Sequence, residues 1–198
     1  MNPENKRGVH TLPPGYTEFW HVNFGKNAKS IILFSLAATA LAAPFLLLGW
    51  FIQPASFGLG LYVSRAVLSG ALFLCVMVCF VSHELVHGLF MKIFSDAKIR
   101  FGFVGYAAYA ASEGYFNKKQ YIIITLAPVV LHSFVFVGLL LFLPRTWFWD
   151  IYILQVVNIG GAAGDFYMSV LMRKMPKDIL VKDDGTRMTI YARQAAHG

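Results

Sequence analysis

The sequence predicts an all-α membrane protein with about four transmembrane helices, a small cytosolic β-hairpin or re-entrant segment, and a short C-terminal β-hairpin. Three observations predict it. First, hydrophobic residues make up 57% of the 198-residue chain and charged residues 14%, where soluble domains carry about half and about a quarter. Second, the apolar residues gather into four long runs, and mean hydropathy is +0.58. Third, Lys and Arg are rich and poor in alternate connecting segments. So much apolar surface excludes intrinsic disorder. Only Cys75 and Cys79 are present, both inside one apolar run, which excludes a disulfide-stapled module.

The elements follow in order. Residues 1–29 are polar and form a cytosolic N-terminal segment. Residues 30–53 carry no charge and are long enough, at about 1.5 Å per residue, to cross a hydrocarbon core of about 30 Å. The polar stretch before the run and the run's length argue against a signal peptide. Pro44 is expected to kink this helix or be tolerated by a neighbour. A second span covers 66–94, uncharged as far as Ser82 and then reading His83-Glu84-Leu85-Val86-His87-Gly88. A third covers 121–143, with His132 inside it and Pro144 and Arg145 at its end. A fourth covers 147–172 and contains Asp165. Trp147 and Trp149 near its start suit a membrane interface. Residues 98–116 are rich in glycine and aromatics with loose alternation, which suits a hairpin or re-entrant pair. Residues 179–191 hold two β-prone runs around Asp183-Asp184-Gly185-Thr186, the pattern of a tail hairpin. The division expected is 1–29, a membrane-embedded core at 30–172, and a cytosolic tail at 173–198.

Charge orients the spans. Lys6, Arg7, Lys26 and Lys29 precede the first. The first loop has no basic residue before Arg65. The second loop carries Lys92, Lys98, Arg100, Lys118 and Lys119, the third only Arg145, and the tail Arg173, Lys174, Lys177, Lys182, Arg187 and Arg193. Positive charge stays on the cytosolic side, so both termini and the second loop are expected there, in a multi-pass protein of the cell membrane. The net charge of +7 is accounted for by topology, and no nucleic-acid partner is expected.

The chemistry lies in the second span. His83 and His87 are four residues apart, so on a helix both imidazoles lie on one face and can hold one ion. Glu84 then sits beside the open metal position, where it can take a proton from a bound water. Ionisable side chains inside an apolar helix are costly and should face a polar interior. A catalytic zinc needs a third protein ligand and one open position. The second and fourth spans both run inward. Counted from the cytosolic ends, His83, His87 and Asp165 fall within about one helical turn of the same depth. The small residues of Asn158-Ile159-Gly160-Gly161-Ala162-Ala163-Gly164 allow close approach of backbones. His132 is the rival ligand by depth, or a residue that holds Asp165, Glu84 or the substrate. Glu113 could fold back from the second loop, whereas Asp150 belongs to the opposite membrane face.

His83-Glu84-Leu85-Val86-His87-Gly88, then a glycine- and aromatic-containing loop, then Leu126-Ala127-Pro128-Val129-Val130, then Asn158 seven residues before Asp165, resembles the zincin peptidase family long filed as a domain of unknown function. It is more distantly similar to the site-2 protease class of intramembrane metalloproteases. The resemblance covers residues 15–191. It implies a membrane zinc peptidase in which Asp165 is the third ligand and Asn158 binds the substrate backbone. Two departures stand out: Gly164-Asp165-Phe166 replaces the Leu-Asp-Gly of site-2 proteases, and the usual proline after the asparagine is missing.

The expected activity is hydrolysis of peptide bonds within, or at the cytosolic edge of, the membrane, with zinc as cofactor and a Glu84-activated zinc-bound water. The substrate would be a membrane or membrane-associated protein. Residues 98–115 would receive it as an extended strand, Val104 and Gly105 among them, because a helix hides its carbonyls from a nucleophile. Two other readings are a non-catalytic membrane scaffold or adaptor that retains a metal site, and a small proton-coupled carrier using Glu84 and Asp165. A carrier usually shows an internal repeat, and the sequence shows none.

Overall fold

The computed structural model describes residues 9–23, 28–54, 62–104 and 107–193. Strand β1 (Tyr16–Asn23) precedes helices α1 (Ala28–Ile52) and α2 (Tyr62–Phe94). Strands β2 (Ile99–Val104), β3 (Ala107–Ser112) and β4 (Phe116–Asn117) lead into α3 (Lys118–Phe142). A 3-10 turn (Arg145–Trp147) is followed by α4 (Phe148–Gly161), α5 (Ala163–Lys174), β5 (Ile179–Asp183) and β6 (Arg187–Arg193).

Among the described residues three helices are long and apolar enough to cross a membrane: Ser35–Ile52, Gly70–Phe94 and Lys118–Phe142. Their side faces carry large apolar groups in the open, such as Phe51 at 81% and Phe142 at 89% exposure. A water-facing surface would not be built this way, and lipid suits it. The expected fourth span is interrupted. It is built from α4 and α5, of 14 and 12 residues, each shorter than the ~20 residues of a span. The helix ends at Ala162, whose ψ is 11°. Gly160, Gly161 and Gly164 flank the break, and each glycine disfavours a helix by about 1 kcal/mol relative to alanine. Gly160 also has a packing reason: a Cβ there would lie 3.2 Å from the Ala38 carbonyl oxygen and 3.4 Å from Ala42 Cβ.

The chain forms two compact units. One holds Leu33–His83 and Val129–Gly164. Inside it, buried and half-buried polar groups link apolar helices. Asn158 Nδ2 donates to the Val129 carbonyl at 3.1 Å and to Ser133 Oγ at 3.2 Å, and Gln155 Nε2 donates to Ser133 Oγ at 2.9 Å. The hydroxyl of Tyr152 donates to the Phe45 carbonyl at 2.7 Å, near the position where Pro44 interrupts α1's own ladder.

The other unit holds Met1–Ile32, Glu84–Pro128 and Asp165–Gly198. Its core gathers Met91, Phe116, Tyr121, Ile124, Met168, Met172, Ile179, Val181, Met188 and Ile190. These residues come from the end of α2, from β4, the start of α3, α5 and the tail strands, so one apolar core positions all of them. The tail hairpin pairs Ile179↔Ala192 through Asp183↔Met188 and turns at Gly185, whose φ of 82° favours glycine. β1 adds to β6 and β4 to β5, giving a four-stranded sheet in the order β1-β6-β5-β4. The sequence predicts the tail hairpin but neither β1 nor β4 beside it. β2 and β3 form a separate antiparallel pair, Ile99↔Ser112 through Val104↔Ala107. Gly105, expected to touch substrate, lies outside the described residues.

Candidate metal centre

α2 carries His83, Glu84 and His87 in its later turns and runs on to Phe94. His87 is buried. Its Nδ1 lies 2.8 Å from the Ile124 carbonyl oxygen. A carbonyl only accepts, so Nδ1 carries a proton and Nε2 is the ring nitrogen turned to the other side. Nε2 faces Asp165 Oδ1 at 3.4 Å. A proton on Nε2 would make this contact an ion pair, and a deprotonated Nε2 would make the two atoms neighbouring ligands of one ion. Two ligands about 2.0–2.2 Å from one ion stand about 3.3–3.6 Å apart at the tetrahedral angle, and the observed separation falls in that range.

His83 lies one turn before His87 on the same helix. Ligand atoms of His83, His87 and Asp165 all lie within 4.8 Å of one another, a slightly wider spread than the 3–4 Å that close ligation about one ion requires. Two imidazoles and one carboxylate form the donor set of a three-ligand zinc site with an open position. The residues therefore fit the metal. Asp165 sits in the first turn of α5, and α5 is tied to α3 by the Thr125 and Ser169 hydroxyls at 2.9 Å.

The neighbours of His83 were not anticipated. Its ring lies parallel to that of His132, with centroids 6.2 Å apart and planes 4° from coplanar. The Ser82 hydroxyl donates to the Cys79 carbonyl at 3.0 Å. Ser82 Oγ also lies 2.8 Å from His132 Nε2. His132 supports a ligand, and it is not one of the three converging side chains. Glu113 is exposed at the base of the β2–β3 pair, where its N–H donates to the Lys98 carbonyl. Asp150 lies in the first turn of α4. Asn158 is buried with its amide donor already engaged by α3.

The β2–β3 pair approaches the motif helix at Gly88. A Cβ on Gly88 would lie 2.3 Å from Phe101 Cζ and 3.3 Å from Ile99 Cγ2. The glycine after the second histidine therefore lets β2 approach α2 within one residue of His87. Tyr109, on β3, lies over Gly102 and over Gly185 of the tail turn. One-dimensional patterning offers no signal for either ring-on-glycine contact, or for the Ile124 carbonyl, since a backbone oxygen has no letter of its own.

No curated protein and no solved structure matches the chain. A family described as "Putative zincin peptidase" matches residues 74–180, from the motif helix through the first residues of β5. That is more than half of the sequence, and it contains both histidines, Glu84 and Asp165. The chain belongs to this zincin peptidase family, whose description makes it a metallopeptidase that uses zinc.

Proposed function

We propose that the protein is a membrane-embedded zinc metallopeptidase of the HExxH type, related in chemistry to site-2 proteases. The observation that carries this reading is the convergence of His83, His87 and Asp165 on helices whose neighbours are apolar. These three residues hold one zinc. A bound zinc supplies a Lewis acid that polarises the scissile carbonyl and lowers the pKa of water. Glu84 is the general base: it accepts a proton from the attacking water and delivers it to the leaving amine. His87 keeps its Nε2 available because Ile124 holds the Nδ1 proton.

The protein is read as multi-pass, in the cell membrane, with both termini and the β2–β3 pair cytosolic, following the Lys and Arg distribution. Residues 30–172 are the membrane core between a cytosolic N-terminal segment and a cytosolic tail. The four-crossing topology then requires α4 and α5 to make the last crossing together. The substrate is a membrane or membrane-associated protein, cut within or at the cytosolic edge of the bilayer. Val104 and Gly105 belong to the segment that receives it. Among the described residues the outer edges of β2 and β3 have no strand partner, which supports addition of an extended peptide. Asn158 is the candidate contact to its backbone.

The test uses Glu84→Gln. Loss of cleavage with about one zinc retained per chain supports a peptidase. Unchanged cleavage would end the general-base assignment, and metal without cleavage in the wild type would favour the scaffold reading.

A further inference from the structure

Pro128 sits inside α3 and is fully buried. It stands four residues after Ile124. In an α-helix the carbonyl of residue i accepts the N–H of residue i+4, and proline has no N–H. The carbonyl that Pro128 strips of its helical donor is therefore the one at Ile124. That oxygen is 2.8 Å from His87 Nδ1. A neighbouring helix thus presents a buried main-chain acceptor, at full strength, to the imidazole of a candidate ligand.

We propose that Pro128 is a positioning residue for the metal centre: by deleting one N–H from α3 it reserves the Ile124 carbonyl for His87, and so fixes that ring's tautomer and direction. The inference rests on the zinc reading given above. Its logic is competitive. A residue with an N–H at 128 would bond Ile124 within the helix, and His87 would share or lose its acceptor. A ligand histidine whose outer partner is lost typically binds metal about 10–100-fold more weakly. The same substitution repairs the helix ladder, so a role limited to helix integrity predicts no such loss.

The experiment measures zinc affinity of the full chain in detergent by competition with a chromophoric chelator, for the wild type, Pro128→Ala, Pro128→Gly and Pro44→Ala. Both Pro128 variants restore the N–H and differ from each other in helix propensity. Pro44 is a second intrahelical proline and serves as the control. The expected result is a loss of about 10-fold or more in both Pro128 variants, with far-UV circular dichroism and elution unchanged, and wild-type affinity in Pro44→Ala. Wild-type affinity in either Pro128 variant overturns the proposal, as does an equal loss in Pro44→Ala. A wild type that binds no zinc defeats the metal reading itself, and this inference with it. If the Pro128 variants do not fold, the long-range proton–nitrogen spectrum of the zinc-loaded wild type decides. A proton on Nδ1 of His87 is expected, and a proton on Nε2 overturns the assignment.

Discussion

Tyr121 donates its hydroxyl proton to Asp183 Oδ2 at 2.6 Å, tying the tail hairpin to the first turn of α3. Asp183 Oδ1 accepts the Gly185 N–H at 2.9 Å, which closes the tail turn on the same carboxylate. Burial raises the Asp183 pKa above the ordinary carboxylate value, and its two hydrogen bonds offset only part of that rise. A raised folded-state pKa means that the folded protein binds the proton more tightly than the unfolded chain. The stabilisation is complete below the ordinary carboxylate value and is lost as pH rises through the folded value. The thermal midpoint of the wild type should therefore fall relative to Asp183→Asn as pH rises from about 4 to about 7. A gap that is flat with pH would mean that the carboxylate keeps an ordinary pKa.

Gly88→Ala should push Phe101 away from α2. The ring is about half exposed and has room to move, so the cost should lie at the low end of the ~1–3 kcal/mol typical of overpacking. Adding Phe101→Ala removes the colliding ring. The double variant should then lose clearly less stability than the sum of the singles. Strict additivity in a denaturant series would show that the two residues do not meet.

Asn158→Ala separates two roles. Its amide holds the Val129 carbonyl and Ser133 Oγ, so loss of stability by about 1–3 kcal/mol is expected from groups left unpaired. A residue that also contacts substrate should in addition raise KM for a peptide substrate. If stability falls and KM stays unchanged, Asn158 belongs to the helix packing alone.

Val104→Pro should lower cleavage with zinc content intact. Proline removes a main-chain donor from β2 and disturbs the strand. Normal cleavage in that variant would remove β2 from the substrate path.

Much of this arrangement is legible in the residues. The uncharged runs define α1, α2 and α3 within a few positions. The four-residue spacing of the histidines places both on one helical face, and counting residues from the span ends is enough to bring Asp165 to their level. Other parts are not legible. β1 reads Tyr-Thr-Glu-Phe-Trp-His-Val-Asn, a mixed pattern that pairs with a strand at the far end of the chain, Tyr16 opposite Arg193. Local periodicity cannot report so distant a partner. The break at Ala162 arises from helix propensity inside a run whose hydropathy remains high, so an apolar count passes over it. The orienting partners of the histidines are a backbone carbonyl and the face of a ring on another helix, and neither carries a sequence motif.

If His83, His87 and Asp165 together hold one zinc, metal analysis of the purified chain in detergent will show it, comparing the wild type with Asp165→Ala and Glu84→Gln. About one zinc per chain is expected in the wild type and in Glu84→Gln, and little in Asp165→Ala. A wild type without zinc, or full zinc occupancy in Asp165→Ala, would contradict it.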